Sequence, residues 1–220
     1  MEMKLSDIPS DEQTYIASFL SYPDALNFSC TNKFIRGSIL AYILEQNKIF
    51  SNCSNGATRL MYAASCRMVN FPKIRFITRL GGKKVVSIQD NFGETALHLA
   101  VRACNLEVIQ ILCQVGGQDI VMLKNSLGNS ALHDAVNMED MDIIQVLCEA
   151  GGRKAVMLQN NMGVSAIHYA VEIGNSEITH LLCEFGGKEA ALLKNRDGNT
   201  PLSLATQYFN AEIAIVLSNF

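Results

Sequence analysis

The chain has 220 residues, of which 49% are hydrophobic and 18% charged, and a formal net charge of -3. That length gives one or two domains, and that composition excludes a disordered chain and a generally basic nucleic-acid binder. Seven cysteines with no Cys-x-x-Cys pair argue against a secreted disulfide framework and for a reducing compartment. Met1-Glu2-Met3-Lys4 is not the basic start of a leader, no run of about 18 apolar residues occurs, and Ser218-Asn219-Phe220 offers no prenylation cysteine. A soluble cytoplasmic protein without membrane contact is expected.

Taken in chain order, residues 1–50 predict three small helices. Ser10-Asp11-Glu12-Gln13 fits a capping box behind Pro9, and Tyr15, Ile16, Phe19 and Leu20 follow at helical spacing. Pro23 starts a second helix, with Leu26 and Cys30 one turn apart. Thr31-Asn32 can cap a third that carries Ile35, Ile39, Tyr42 and Ile43. So small a unit buries little apolar surface and should lean on a partner or on the neighbouring segment of the chain.

From Asn52 onward a repeat governs the chain. Gly-Gly pairs fall at 81–82, 116–117, 151–152 and 186–187, a constant step of 35. Gly93, Gly128, Gly163 and Gly198 keep that step, as do His98, His133 and His168, and Cys113, Cys148 and Cys183. Each unit reads as turn, helix, turn, helix, turn. Asn125-Ser126-Leu127-Gly128 supplies turn chemistry, and Ser130 caps a short helix from Ala131 to about Met138. Thr95, Ser165 and Thr200 hold the same place in the other units, Pro201 taking the first helical position after Thr200. Asp140 restarts the chain, and Ile143, Ile144, Val146, Leu147 and Cys148 give the second helix a wide apolar face. Gly151-Gly152 should end it in a left-handed C-cap. Helix pairs of this size must stack to bury their apolar faces, so the expected fold is an all-α solenoid.

Glu94-Thr95-Ala96-Leu97-His98-Leu99-Ala100, Asn129-Ser130-Ala131-Leu132-His133-Asp134-Ala135 and Val164-Ser165-Ala166-Ile167-His168-Tyr169-Ala170 resemble the T-P-L-H-x-A signature of ankyrin repeats. Asn199-Thr200-Pro201-Leu202-Ser203-Leu204-Ala205 has serine in place of histidine. A degenerate earlier unit aligns Gly56 to Ala64 with Gly93 to Val101, a two-residue insertion near Met68 to Phe71 restoring the register. The expected repeats are about 54–89, 90–124, 125–159, 160–194 and 195–220. Before them, Leu5-Ser6-Asp7-Ile8-Pro9, Ile16-Ala17-Ser18-Phe19-Leu20 and Asp24 to Arg36 resemble the F-box, with Phe34 where that family often has tryptophan.

The two resemblances imply a division of labour. Residues 1–50 would be an F-box-like helical domain docking the Skp-type adaptor, and through it the cullin, of an SCF-type ubiquitin ligase. Ile8, Pro9, Ile16, Leu20, Leu26 and Phe34 are its candidate residues, Ile8, Pro9 and Leu20 first among them. The repeats would hold a protein substrate through the positions left free to vary. These are Leu99, Asp134 and Tyr169 within the signature, with Leu204 in the fourth. After it come Arg102, Asn137, Met138, Glu172, Ile173 and Tyr208, and at the turn tips Phe92, Leu127, Met162 and Asp197. The competing reading is a ligase-independent scaffold or inhibitor whose N-terminal helices only cap the solenoid. F-box and ankyrin units occur together in eukaryotic proteins and in viral and bacterial effectors, which would work in the host cytosol. No enzyme activity, cofactor, metal or nucleic acid is expected, and outside the ligase complex the chain is expected to be a monomer.

The histidine and cysteine markers are not read as metal ligands. Ligands must converge within about 2.0–2.3 Å of one ion, whereas equal solenoid positions form ladders. Histidine three residues after the cap should instead tie its turn to the next repeat, and cysteine should act as a small core residue. Gly-Gly pairs are helix ends, not phosphate loops. Residues 51–89 carry seven basic and no acidic groups, against a net -8 over residues 90–220. They read either as a solvated outer face or as a dock for an acidic surface.

Overall fold

The computed structural model describes residues 56–65 and 71–220. The F-box-like segment, with Ile8, Pro9, Ile16, Leu20, Leu26 and Phe34, lies outside the described residues. Among those described, the chain forms five helix pairs: α1 (Arg59–Ser65) with α2 (Phe71–Val86), α3 (Ala96–Arg102) with α4 (Leu106–Gly116), α6 (Ala131–Asn137) with α7 (Met141–Val156), α8 (Ala166–Ile173) with α9 (Ser176–Ala191), and α10 (Pro201–Gln207) with α11 (Ala211–Ser218). A single turn, α5 (Gln118–Val121), follows α4. First helices stack on first helices and second on second along the chain, so the molecule is a two-layered α-solenoid.

The caps follow the sequence. Thr95, Ser130, Ser165 and Thr200 sit in extended conformation at the N-caps of the first helices. Asn105, Asp140, Asn175 and Asn210 cap the second helices, each side chain accepting from the backbone N–H three residues on. Between the layers lies one continuous apolar core. Leu97, Leu132 and Ile167 fill the same place in successive repeats, and Leu112, Leu147 and Leu182 another, all fully buried. Each such side chain contributes about 1.5–3 kcal/mol.

The Gly-Gly pair works differently from the expected left-handed cap. At Gly152 the backbone takes φ 59° and ψ -159°, an extended conformation of positive φ that only glycine adopts readily. The helix is broken there and re-enters for one more turn, which returns Ala155 and Val156 to the core. Gly151 has a second job. A Cβ on it would lie 2.8 Å from Cγ1 of Val121 in the preceding repeat and 2.4 Å from Ala155 Cβ, so its bare backbone is what lets the units close up.

The charge on the first repeat is also partly accounted for. Arg75 pairs with Glu107 at 3.4 Å and Lys83 with Asp119 at 2.8 Å, both acids belonging to the next repeat. Arg153 pairs with Glu189 one repeat further on. The first-repeat pairs are half exposed or more, so they set register more than stability. For these cations the unequal charge of the two segments is matched inside the chain.

Candidate protein-binding face

Each turn between repeats is built on one side-chain oxygen. Asn125 Oδ1 accepts from the backbone N–H of Leu127 and of Asn129, both at 3.0 Å, and Asn125 N–H donates to Asn129 O at 2.8 Å. Asp90, Asn160 and Asn195 do the same in their repeats. The loop therefore projects as a closed finger, and isolated bridges Lys124–Ser130 and Gln159–Ser165 close two of them. The fingers are joined to one another. Ser126 N–H donates to Phe92 O at 2.8 Å, Asn161 N–H to Leu127 O at 3.1 Å, and Arg196 N–H to Met162 O at 3.0 Å.

That ladder fixes Phe92, Leu127 and Met162 side by side as a row, and it leaves their side chains in solvent, 58%, 67% and 66% exposed. They do not pack away on neighbouring tips. Asp197 continues the row in the last finger and is also exposed. On the first helices, Arg102, Asn137 and Glu172 are exposed, as are Met138, Ile173 and Tyr208. Leu99, Asp134 and Tyr169 are half-buried between them. Leu204 is a correction: it is buried in the core of the last repeat and presents nothing to a partner.

Three of these side chains are committed within the chain. The Arg102 guanidinium bonds Glu94 and reaches Asp134 Oδ2 at 3.4 Å, while Asn125 Nδ2 donates to Glu94 Oε1 at 3.2 Å. Burial works to raise the Glu94 carboxyl, but the Arg102 hydrogen bond and charge outweigh it and hold Glu94 ionised. Asp134, further from the guanidinium, is pushed up to about 6 by burial. Tyr169 accepts from Asn160 Nδ2 at 3.1 Å and meets the ring of His133 edge-on at 5.9 Å. Glu172 is raised by desolvation and has no ion-pair partner among the described residues.

The histidines hold the frame behind this face. Ser130 N–H donates to His133 Nδ1 at 3.2 Å, which leaves the proton on Nε2, and Nε2 donates to Val164 O of the next repeat at 3.1 Å. His98 reaches Asn129 O and His168 reaches Asn199 O in the same way, each at 3.2 Å. Burial lowers all three, His133 to about 4. Cys113 and Cys148 are pushed up to about 12 by burial, and Cys183 to about 11. They are core thiols and not nucleophiles.

Sequence reasoning missed two exposed aromatic side chains. Tyr62, 62% exposed, occupies the Leu99 position of the first unit, and the alignment of Gly56 with Gly93 was the signal for it. Phe209, 93% exposed, stands in the loop between α10 and α11, in the slot that Gly174 fills one repeat earlier.

Stacked helix pairs with bonded fingers, three of them tied to the next by a buried histidine, define a repeat scaffold that offers an extended surface. A family model of three successive ankyrin repeats matches residues 75–157 and again 152–219, together about two thirds of the chain. The chain belongs to the ankyrin-repeat family. Such proteins are in general non-catalytic binding scaffolds, and their repeats imply a protein partner. No curated protein matches the chain. No helix among the described residues is long and apolar enough to cross a membrane.

Proposed function

We propose that the chain is a substrate-recognition adaptor, its repeats (52–220) holding a protein and its N-terminal domain (1–50) docking the Skp-type subunit of an SCF-type cullin-RING ubiquitin ligase. The observation that carries the binding half is the row Phe92, Leu127 and Met162, three large apolar side chains kept in solvent by a backbone ladder. Exposed apolar side chains held in a fixed row are what a protein partner covers. Met138, Ile173 and Tyr208 extend the surface, with Asn137, Glu172 and Asp197 as its polar contacts. Leu99, Arg102, Asp134 and Tyr169 form its floor, Arg102 and Asp134 acting from within their own ion cluster. The ligase half is supported by the pattern of Ile8, Pro9, Ile16, Leu20, Leu26 and Phe34 directly ahead of the repeats. The mechanism is tethering, which raises the effective concentration of substrate lysines near a ubiquitin-loaded enzyme without bond chemistry by this chain.

Affinity capture from a eukaryotic lysate tests both halves. Leu127→Asp with Met162→Asp should lose the substrate and keep adaptor and cullin, with an unchanged melting temperature. Pro9→Ala with Leu20→Ala should do the reverse, and purified Skp-type adaptor should bind the wild type directly. A folded wild type that ignores the adaptor reduces the reading to a ligase-independent scaffold whose N-terminal helices cap the first repeat.

A further inference from the structure

The finger row is one edge of a wider pattern. Phe92, Leu127 and Met162 stand ahead of the first helices of their repeats, and Met138, Ile173 and Tyr208 stand at the C-terminal ends of such helices, also exposed. Two apolar rows are therefore set apart by the length of a first helix, seven residues in α6 and eight in α8. At 1.5 Å per residue that is about 10 Å, close to the width of one helix with its side chains. The strip admits a single segment of a partner.

Between the rows the floor is polar, and its unmatched charge is negative. Helices α3, α6, α8 and α10 carry three charged side chains, Arg102, Asp134 and Glu172. The Arg102 guanidinium is bonded by Glu94 and by Asp134, so the one cation on these helices is already shared between two acids. Among the described residues Asp134 makes no bond besides its 3.4 Å contact with Arg102 through Oδ2, and its Oδ1 has no donor. Glu172 has neither a hydrogen bond nor an ion pair among them. The last fingertip adds Arg196 next to Asp197, one charge of each sign.

A partner that covers the apolar rows also covers this floor. A wholly apolar segment would leave two carboxylates out of water and unpaired, which is costly. An acidic segment would meet them with like charge. A lysine or arginine set between apolar residues supplies the missing counter-ion while the rows are covered.

We propose that the segment held by this face is a basic one, with apolar side chains on the two rows and lysine or arginine over Asp134 and Glu172. The inference rests on the reading of the finger row as a protein-binding face, and it names the chemistry of what that face takes. Panning a displayed library of random peptides against the purified full chain tests it. Enriched sequences should carry lysine or arginine flanked by large apolar residues, and the synthetic peptide should bind more weakly as salt rises. Glu172→Lys should weaken that peptide by roughly tenfold or more, and glutamate in place of the peptide's cation should recover part of the loss. Asp134→Asn should weaken it in the same direction. Leu127→Ser with Met162→Ser, which removes the apolar tips without changing the charge of the face, should abolish binding. All three variants should retain a cooperative melting transition. Enriched peptides that lack a cation, bind Glu172→Lys as well as wild type and are lost on Leu127→Ser with Met162→Ser overturn the inference and leave the row as the binding face. Basic peptides indifferent to Leu127→Ser with Met162→Ser overturn the reading of the row and the inference with it, and a library that yields no binder overturns the inference as well.

Discussion

His133 shows how one side chain can carry both a helix cap and a repeat junction. Its Nδ1 accepts from a backbone N–H and its Nε2 donates to the next unit, so only the neutral ring satisfies both. The unfolded chain protonates this ring below about pH 6.5, and the folded chain only near 4. Stability is therefore full above the upper value and is lost as pH falls through the window. By about pH 5 this ring alone should cost about 2 kcal/mol, and His98 and His168 act in the same direction. Asp134 opposes them, since its raised carboxyl takes up a proton in the fold before it would in the open chain. Urea melts at neutral and acidic pH should show the net fall, and Asp134→Asn should make it steeper. Backbone strain gives a second prediction at this scale. Cys104 has φ 52° where Gly174 has φ 84°. Cys104→Gly should raise stability by roughly 0.5–1 kcal/mol, the left-handed penalty less the added freedom of the unfolded chain. A lower melting temperature would count against that account.

The finger is the element on which the binding face depends, and its glycine is needed for two separable reasons. Gly128 and Gly198 have nearly the same φ, 80° and 82°. A Cβ on Gly128 would lie 2.5 Å from Asn161 N in the next finger, whereas at Gly198 it would meet nothing within 4 Å. Gly198→Ala should therefore cost about 1 kcal/mol, the conformational penalty alone. Gly128→Ala should cost at least about twice that, because the adjoining finger must move. Equal losses in denaturant titrations would show that the fingers are not in register. The need for positive φ was legible in the turn composition around Gly128, because the reason is local. The break at Gly152 was legible only as a helix end. The extra turn after it exists because Ala155 and Val156 find a core made by another repeat, and no local signal records that. Positive φ at Cys104, Glu139 and Phe209 was hidden for the same reason: packing of the helix pair imposes it on residues whose type gives no sign of it.

At the scale of the whole molecule, stability is passed between neighbours. Among the described residues α6 to α9 are stacked on both sides and α10 with α11 on one, so amide hydrogen exchange should be slower in α6 to α9 than in α10 and α11. Uniform protection would mean a cooperative unit larger than nearest-neighbour contacts build. The solenoid was legible because one step of 35 recurs in glycines, histidines and cysteines alike. The binding face was legible in part, since Phe92, Leu127 and Met162 stand out as large apolar residues where turns prefer polar ones. What was not legible is commitment. Arg102 looks free in the sequence and is held by Glu94 and Asp134, and the cations Arg75 and Lys83 find acids 32 and 36 residues away.

The histidine ladder carries a consequence for how such a gene can change. Every rung ends on a main-chain carbonyl, that of Asn129, Val164 or Asn199, so the donor is indifferent to what amino acid receives it. An in-frame duplication of any interior cassette would find a ready acceptor at both seams. Lengthening the surface by recombination then requires no compensating substitution, and the fingertips are left free to diversify.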